Sequence, residues 1–486
     1  MTRIATVHAL IIALPIGAVG CATVPPDRGF DRVQTAVEGR IDAVPQWPMD
    51  HDAELIVQAR VDDLLASPLT PEAASEIAIL NSPRLRAAFA RVGIASADLI
   101  EAGLLENPRL SAAAGIPDGP PSVTELDFGL TFNILRLLML PARKQIAGLQ
   151  LDAATLDVAD EVLRTRANAQ VAFLELQGAE HLASVLREIA LAAEASAEFA
   201  DRLHQAGNLS DLDLANEQAL YEEARLAYAR SFADAASFRE RLNAVLGLWG
   251  DRTGWSIDDR LPELPPTEPA MVDLESLAVR QRFDLAATAK EVESLYAALG
   301  LQRKWRYILA ADAGFIAARD TDGQWVFGPQ LSIELPIFNQ RQADIARLEA
   351  ALRGAESRLE AIAIETRADV RRFLDRLYAL RYEAEHFKET IVPLRQRITG
   401  LTQEQYNFML MDTFDLLAAK RAETDAYRAY LAAVRDYWIT RADLERAVGG
   451  GLPIDLEADE AGADPPATPS PDQPADTQHT HKHGGL

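Results

Sequence analysis

Two stretches of alternation, of eleven and thirteen residues, each followed by a very long run of helical periodicity, leave few folds open to this chain. In the first, Thr124, Leu126, Phe128, Leu130, Phe132 and Ile134 are apolar or nearly so. They alternate with Glu125, Asp127, Gly129, Thr131 and Asn133. In the second, Trp325, Phe327, Leu331, Ile333, Leu335 and Ile337 alternate with Gly328, Gln330, Ser332 and Glu334. A period of two predicts a strand with one greasy and one wet face. Eleven residues is the length of a tilted transmembrane β-strand, although a half-buried soluble sheet carries the same pattern. Weaker strands near 109–116 and 306–318 precede them, and the turn-rich "PDGPP" and "DTDG" join each pair into a hairpin.

The two stretches belong to one duplicated unit. Phe128-Gly129 corresponds to Phe327-Gly328 and Ile146-Ala147 to Ile345-Ala346, while Asp213-Leu214 corresponds to Asp415-Leu416 after a small insertion in the second copy. A period this long is a duplicated domain and not a solenoid. Two hairpins give four strands, which cannot close a barrel, and an open edge is not tolerated in lipid. A membrane reading therefore requires several copies of the chain, and three would supply about twelve strands.

After each hairpin the sequence predicts a long helix, over 142–206 and 341–406, each roughly 100 Å long at 1.5 Å per residue. The second steps in heptads from Ile345 through Leu348, Leu352, Ala355, Leu359 and Ile362. It passes a stutter at Thr366 and resumes at Val370. Pro393 predicts a local kink. Gly207-Asn208 is a helix stop and Ser210 or Asp211 the next N-cap, so return helices are expected over 211–247 and 412–448.

These signals divide the chain into a signal peptide (1–20), an extended segment (21–54), a first repeat (55–247) and a Pro-rich linker (248–272). A second repeat (273–449) and a disordered His-ending tail (450–486) follow. The signal rests on a basic Arg3, an apolar run and Ala18-Val19-Gly20 directly before Cys21, the only cysteine. Small residues ending at a cysteine look like a lipobox whose thiol is acylated, although an ordinary signal peptide fits the same run. Ala22 in place of Asp favours outer-membrane retention by analogy. The net charge of −25 argues against nucleic acid as a partner. No nucleophile–base pair, phosphate loop or Glu-flanked His motif is present, so neither an enzyme nor a cofactor is expected.

The duplication, the order of hairpin then long helix, Asn107-Pro108-Arg109-Leu110 and the paired tips ending in Asp-Leu resemble the TolC family of outer-membrane efflux channels. The lipobox resembles its OprM- and CusC-like lipoprotein branch. The resemblance spans about residues 55–450. It implies a mostly α fold with a β-barrel part: a homotrimer forming a twelve-stranded outer-membrane β-barrel continued by a periplasmic α-helical barrel. It implies as partners a periplasmic adaptor (membrane fusion) protein, an inner-membrane RND-type transporter and outer-membrane lipid. The implied function is the exit duct of a tripartite pump for small solutes, heavy-metal cations among them. A duct for type I protein secretion and a pore-less coiled-coil scaffold remain open alternatives at this point.

The resemblance also nominates residues. Asp415 and Asp213 are candidates for an acidic ring at the periplasmic gate, although either suits a first-turn helix carboxylate. Gly207, Asn208, Leu209 and Ser210 at the first tip, with Met409, Leu410, Met411 and Asp412 at the second, are the expected adaptor-docking tips. Glu125, Asp127 and Glu334 would line the barrel lumen and favour cations. His479, His481 and His483, at alternate positions in the tail, have the spacing of a weak copper, nickel or zinc site, or form part of a tail without a role.

Overall fold

The computed structural model describes residues 25–452, except 42, 117, 120–122, 267, 269, 270, 272, 321, 409 and 412. Cys21 and the three tail histidines lie outside the described residues. Four helices open the described residues: α1 (Asp31–Val37), α2 (His51–Leu65), α3 (Pro71–Asn81) and α4 (Pro83–Gly103). The start of α3 is set by Thr70, whose side chain accepts from Ala73 N, followed by Pro71 at the first helical position. Ser82 and Pro83 repeat the device for α4. Proline suits that position because its missing N–H would be unpaired there anyway.

The stretch 21–54, expected to be extended, is corrected by the structure, which forms α1 and the first turn of α2 within it. The reason is the helical spacing of Phe30, Val33 and Val37, all buried in one cluster with Phe89, Val92 and Val158. Phe30 meets Phe89 edge-on with ring centroids 4.7 Å apart.

Strands β1 (Arg109–Gly115) and β2 (Glu125–Asn133) lead straight into α5 (Ile134–Gln205), and α6 (Asp211–Leu246) returns beside it. The first long helix thus starts at Ile134, earlier than the expected residue 142, and it carries Pro141 inside. Asn133 explains the early start, since its side chain accepts from Arg136 N at 2.9 Å and caps the helix at the end of the strand. With 72 residues, α5 is about 108 Å long.

The second unit contains α7 (Leu274–Gln281), α8 (Phe283–Lys304), β3 (Ala311–Arg319) and β4 (Trp325–Ile333). These strands are shorter than the expected 306–337. Residues 334–341 leave the strand after Ile333, pass Leu335-Pro336 and turn through Arg341, whose φ is +59°. The second long helix is also not one rod. It runs as α9 (Gln342–His386), a π turn (Phe387–Ile391) and α10 (Val392–Asn407), before α11 (Thr413–Val448) returns. Val392 N donates to Phe387 O, a five-residue step. Pro393 supplies the cause. It offers no N–H to the carbonyl four residues back, and the ladder widens just ahead of it.

The expected linker 248–272 does not hang free. Trp255 is buried and donates from Nε1 to Asn243 Oδ1 at 2.9 Å. Ile257 forms a bridge with Leu69, and Arg381 donates to the carbonyls of Pro265 and Pro266 at 2.8 and 3.0 Å. The segment is a strap bound across the helices. One core gathers α2, α3, α5 and α6 around Phe173, Leu176, Leu242 and Leu246. Another joins α7, α9 and α11 around Leu377, Leu380, Tyr437 and Leu444.

Candidate channel wall and periplasmic tips

The four strands form one antiparallel sheet in the order β1-β2-β3-β4. β2 pairs with β3 although α5 and α6 separate them in sequence, so the two copies fuse along their hairpins. The register carries alternation across all four strands. Phe128 lies opposite Ala112 and Ala317, and Ala317 lies opposite Phe327. One row further on, Leu130 lies opposite Leu110 and Phe315, and Phe315 opposite Pro329. One face is therefore apolar on every strand, and its large side chains are exposed: Leu110 by 77%, Phe315 by 69% and Phe327 by 74%. Trp325 stacks between Phe128 and Phe327 at centroid distances of 6.4 and 6.0 Å.

The opposite face is mostly polar and small, with Ile316 and Val326 as apolar exceptions. Asp127 lies opposite Ala113 and Ala318, while Glu125 pairs with Gly115. Glu334 lies just past β4, its N–H donating to Ala310 O at 3.0 Å. The register adds a residue that sequence reading missed. Asp312 lies opposite Asn133 and Ser332 and so shares the face of Asp127. The signal was weak because "ADAGFIAAR" has few polar residues to mark a period. Gly314 on this face is required by close approach, since a Cβ there would stand 2.1 Å from Leu130 O.

At the far ends of the helices lie the two tips. The first is closed by a Schellman turn. Gly207 has φ +76°, its N donates to His204 O at 2.8 Å, and Asn208 N donates to Leu203 O at 2.9 Å. The His204 ring spans the turn, with Nδ1 3.0 Å from Leu209 O and Nε2 3.4 Å from an Asp211 carboxylate oxygen. Ser210 is the N-cap of α6, accepting from Asp213 N at 3.1 Å, while its hydroxyl donates to the Asp213 carboxylate at 2.6 Å. Of the first-tip candidates, Ser210 and Asp213 are thus brought together in one cap. The second tip exposes Phe408 and Leu410 by 75% each, with Met411 beside them. Met409 and Asp412 fall outside the described residues. Asp415 is exposed in the first turn of α11, next to the buried Leu416 and Leu417. Further along, Arg421 of α11 ion-pairs with Glu223 of α6, between the two returning helices.

No helix among the described residues is long and apolar enough to cross a membrane. Residues 274–450 match the family model of the outer membrane efflux protein. No curated protein sequence matches the chain. Solved structures do. The CmeC outer membrane channel of Campylobacter jejuni superposes with a TM-score of 0.68 at 16% identity, over 85% of this chain and 90% of CmeC. The outer membrane protein VceC of Vibrio cholerae gives 0.67 at 16% identity, over 84% and 100%. The open state of the MtrE outer membrane channel of Neisseria gonorrhoeae gives 0.61 at 17% identity, over 82% and 89%. Residues 274–450 thus match the outer membrane efflux protein family model, and the chain as a whole has the fold of these outer-membrane channels.

Proposed function

We propose that this chain is the outer-membrane duct of a tripartite efflux pump. Three copies would close a twelve-stranded barrel and continue it as a helical tunnel. The observation that carries the reading is the sheet: an exposed apolar face on all four strands, and edge strands β1 and β4 that pair on one side only among the described residues. Edge N–H and C=O groups left unpaired in lipid cost several kcal/mol each, about what a neighbouring copy's edge would recover. The helices repeat the logic. Toward the tips α5 packs on α6 and α11, and α11 on α9, while α7 and α8 cover other parts of α9, so α6 and the tip-directed part of α9 end this row. The exposed Phe232 on α6 and Tyr382 on α9 suit contact with a second copy.

Glu125, Asp127 and Asp312 on the polar face give the lumen a negative field, which favours cations, heavy-metal ions among them. Asp415 is the gate candidate of the second tip, and Gly207 to Ser210 with Phe408, Leu410 and Met411 form the surface offered to a periplasmic adaptor, the link to an inner-membrane transporter. Acylation of Cys21 would add a lipid tether to the barrel, firm if two or more chains are attached. Histidines 479, 481 and 483 would capture metal ions near the duct.

Planar-bilayer recording of the full chain tests the reading. Stepwise conductance with a cation-selective reversal potential, from a heat-modifiable trimer in the outer-membrane fraction, is the expected result. A soluble protein without conductance would overturn it.

A further inference from the structure

The ends of the four strands that face the helices come together by topology: the start of β1, the end of β2, the start of β3 and the end of β4. The helix ends, strand ends and short passages around them are strongly basic in a chain of net charge −25. Arg109 opens β1, and Arg136, Arg143 and Lys144 follow β2. Arg303, Lys304 and Arg306 precede β3, and Arg341 follows β4. Against them stand only Glu106 and Glu334 in the stretches 104–109, 134–144, 303–310 and 334–341. The opposite end of the sheet reverses the sign, with Asp118, Glu125, Asp320 and Asp322 near Arg319.

Some of these cations are held within the protein. Glu106 takes Arg109 at 3.1 Å and Arg136 at 3.7 Å, and Arg303 pairs with Glu349 at 2.5 Å. Arg341 donates to Gln302 Oε1 at 2.6 Å. Arg143, Lys144 and Lys304 form no ion pair among the described residues. Lys304 Nζ lies 5.8 Å from the Trp305 ring centroid, and Arg306 lies over Tyr307. The same zone exposes apolar side chains: Phe338 by 92%, Leu335 by 72% and Tyr307 by 63%. Aromatic rings beside cations, with apolar side chains at the end of a lipid-length apolar face, is the composition of a membrane–water boundary.

From this we infer that the helix-side rim of the sheet is a binding collar for anionic phospholipid headgroups. It rests on the outer-membrane duct reading, which puts this rim at the periplasmic leaflet. The ligand class follows from the chemistry. A phosphodiester headgroup with net negative charge neutralises Arg143, Lys144 and Lys304, while its acyl chains continue along Phe338, Leu335 and the apolar sheet face. A zwitterionic headgroup brings its own cation and gains less. Each cation near a headgroup layer favours the anionic lipid by about fivefold, and added salt weakens the preference.

The test uses the full chain reconstituted into vesicles of equimolar phosphatidylglycerol and phosphatidylcholine, re-extracted in mild detergent, with the retained lipid quantified. Wild type should retain phosphatidylglycerol in an excess well above the roughly fivefold of a single cation. R143Q/K144Q/K304Q should bring the ratio near one, and K144Q/K304Q, which changes only exposed side chains, should lower it part of the way. Insertion into pure phosphatidylcholine vesicles should be the same for all three. An equal ratio in wild type, or an unchanged excess in both variants, would overturn the collar while leaving the duct reading intact. Displacement of phosphatidylglycerol by lipid A phosphates would put the collar in the other leaflet and overturn it as well. Failure to insert into either vesicle would overturn the duct reading and the collar with it.

Discussion

The Ser210 hydroxyl and the Asp213 carboxylate are 2.6 Å apart, and the same hydroxyl accepts the Asp213 N–H at 3.1 Å. The two residues thereby close the start of α6 on itself. Asp213 acts as a helix-start carboxylate, held back against its own cap. Its counterpart Asp415 has Asp412 three residues earlier, where Asp213 has Ser210, and Asp412 lies outside the described residues. The duplicated Asp-Leu pairs therefore differ in sequence at the position three residues before the aspartate.

Ser210→Ala should cost about 1 kcal/mol at the start of α6, the usual value of an N-cap hydroxyl. The measurement is hydrogen exchange. The amides of 211–213 should open roughly fivefold more often, while those in the middle of α6 keep their protection. Equal protection in the variant and wild type would show that the cap does not hold the turn.

If Asp415 bears the gate charge and Asp213 only the cap, their variants should separate by readout. Asp415→Ala should change single-channel conductance and reduce cation selectivity. Asp213→Asn should leave both near wild type and loosen the first tip in hydrogen exchange. Unchanged conductance and selectivity in Asp415→Ala would remove Asp415 from the gate.

Much of this wall was legible in the sequence because its signals are local and periodic. The alternation at 126–132 gave the apolar face, and Gly207 with Ser210 gave the first turn. What the sequence did not show depends on partners distant along the chain. Asp312 takes its face from Asn133 and Ser332, across the sheet. The strap at 248–272 reads as a Pro-rich linker because its anchors, Asn243, Leu69 and Arg381, lie elsewhere. The π turn at 387–391 was hidden for another reason: heptads continue through it, and only the missing N–H of Pro393 marks the place.

The strap supplies the third prediction. Glu268 is 7% exposed and meets Arg381 and Arg441, each at 3.0 Å, while the Tyr437 hydroxyl also donates to it. Burial, reinforced by that hydrogen bond to a carboxylate, pushes the Tyr437 pKa up to about 12. Glu268→Gln keeps the volume and removes the charge, leaving two guanidinium groups short of a counter-ion. The expected loss is about 3 kcal/mol, at the lower end for a broken buried pair because both arginines keep some solvent contact. Thermal unfolding of the purified protein in detergent measures it. A melting temperature equal to wild type would mean that the strap is held by Trp255 and the proline carbonyls alone.

Glu445 of α11 gives a pH dependence with a definite sign. Burial raises its pKa, against the pull of Arg166 and Arg441. A carboxyl whose folded pKa lies above its unfolded value costs nothing while both states are protonated. As pH rises from the unfolded value through the folded one, the unfolded chain sheds its proton first and folding loses stability. Glu445→Gln should therefore raise the melting temperature at pH 7, and the gain should vanish at pH 4 and below. A gain that persists at acid pH would assign the effect to packing.

The last prediction concerns the sheet that the duct reading depends on. A Cβ at Gly314 would stand 2.1 Å from Leu130 O and 2.9 Å from the Leu130 carbonyl carbon, both backbone atoms of the neighbouring strand. No side-chain rotation relieves that collision. Gly314→Ala must push β2 and β3 apart at the one junction that joins the two copies of the hairpin. Gly328, on the same face of β4, has open space where its Cβ would go. Gly328→Ala should therefore assemble as wild type, whereas Gly314→Ala should lose most of its heat-modifiable trimer and its conductance. The pair isolates the cause, because both substitutions add one methyl group to the polar face and reduce glycine's backbone freedom alike. Wild-type assembly of Gly314→Ala would mean that the β2–β3 seam tolerates a wider spacing, and the fused four-stranded sheet would lose its place as the unit of the barrel.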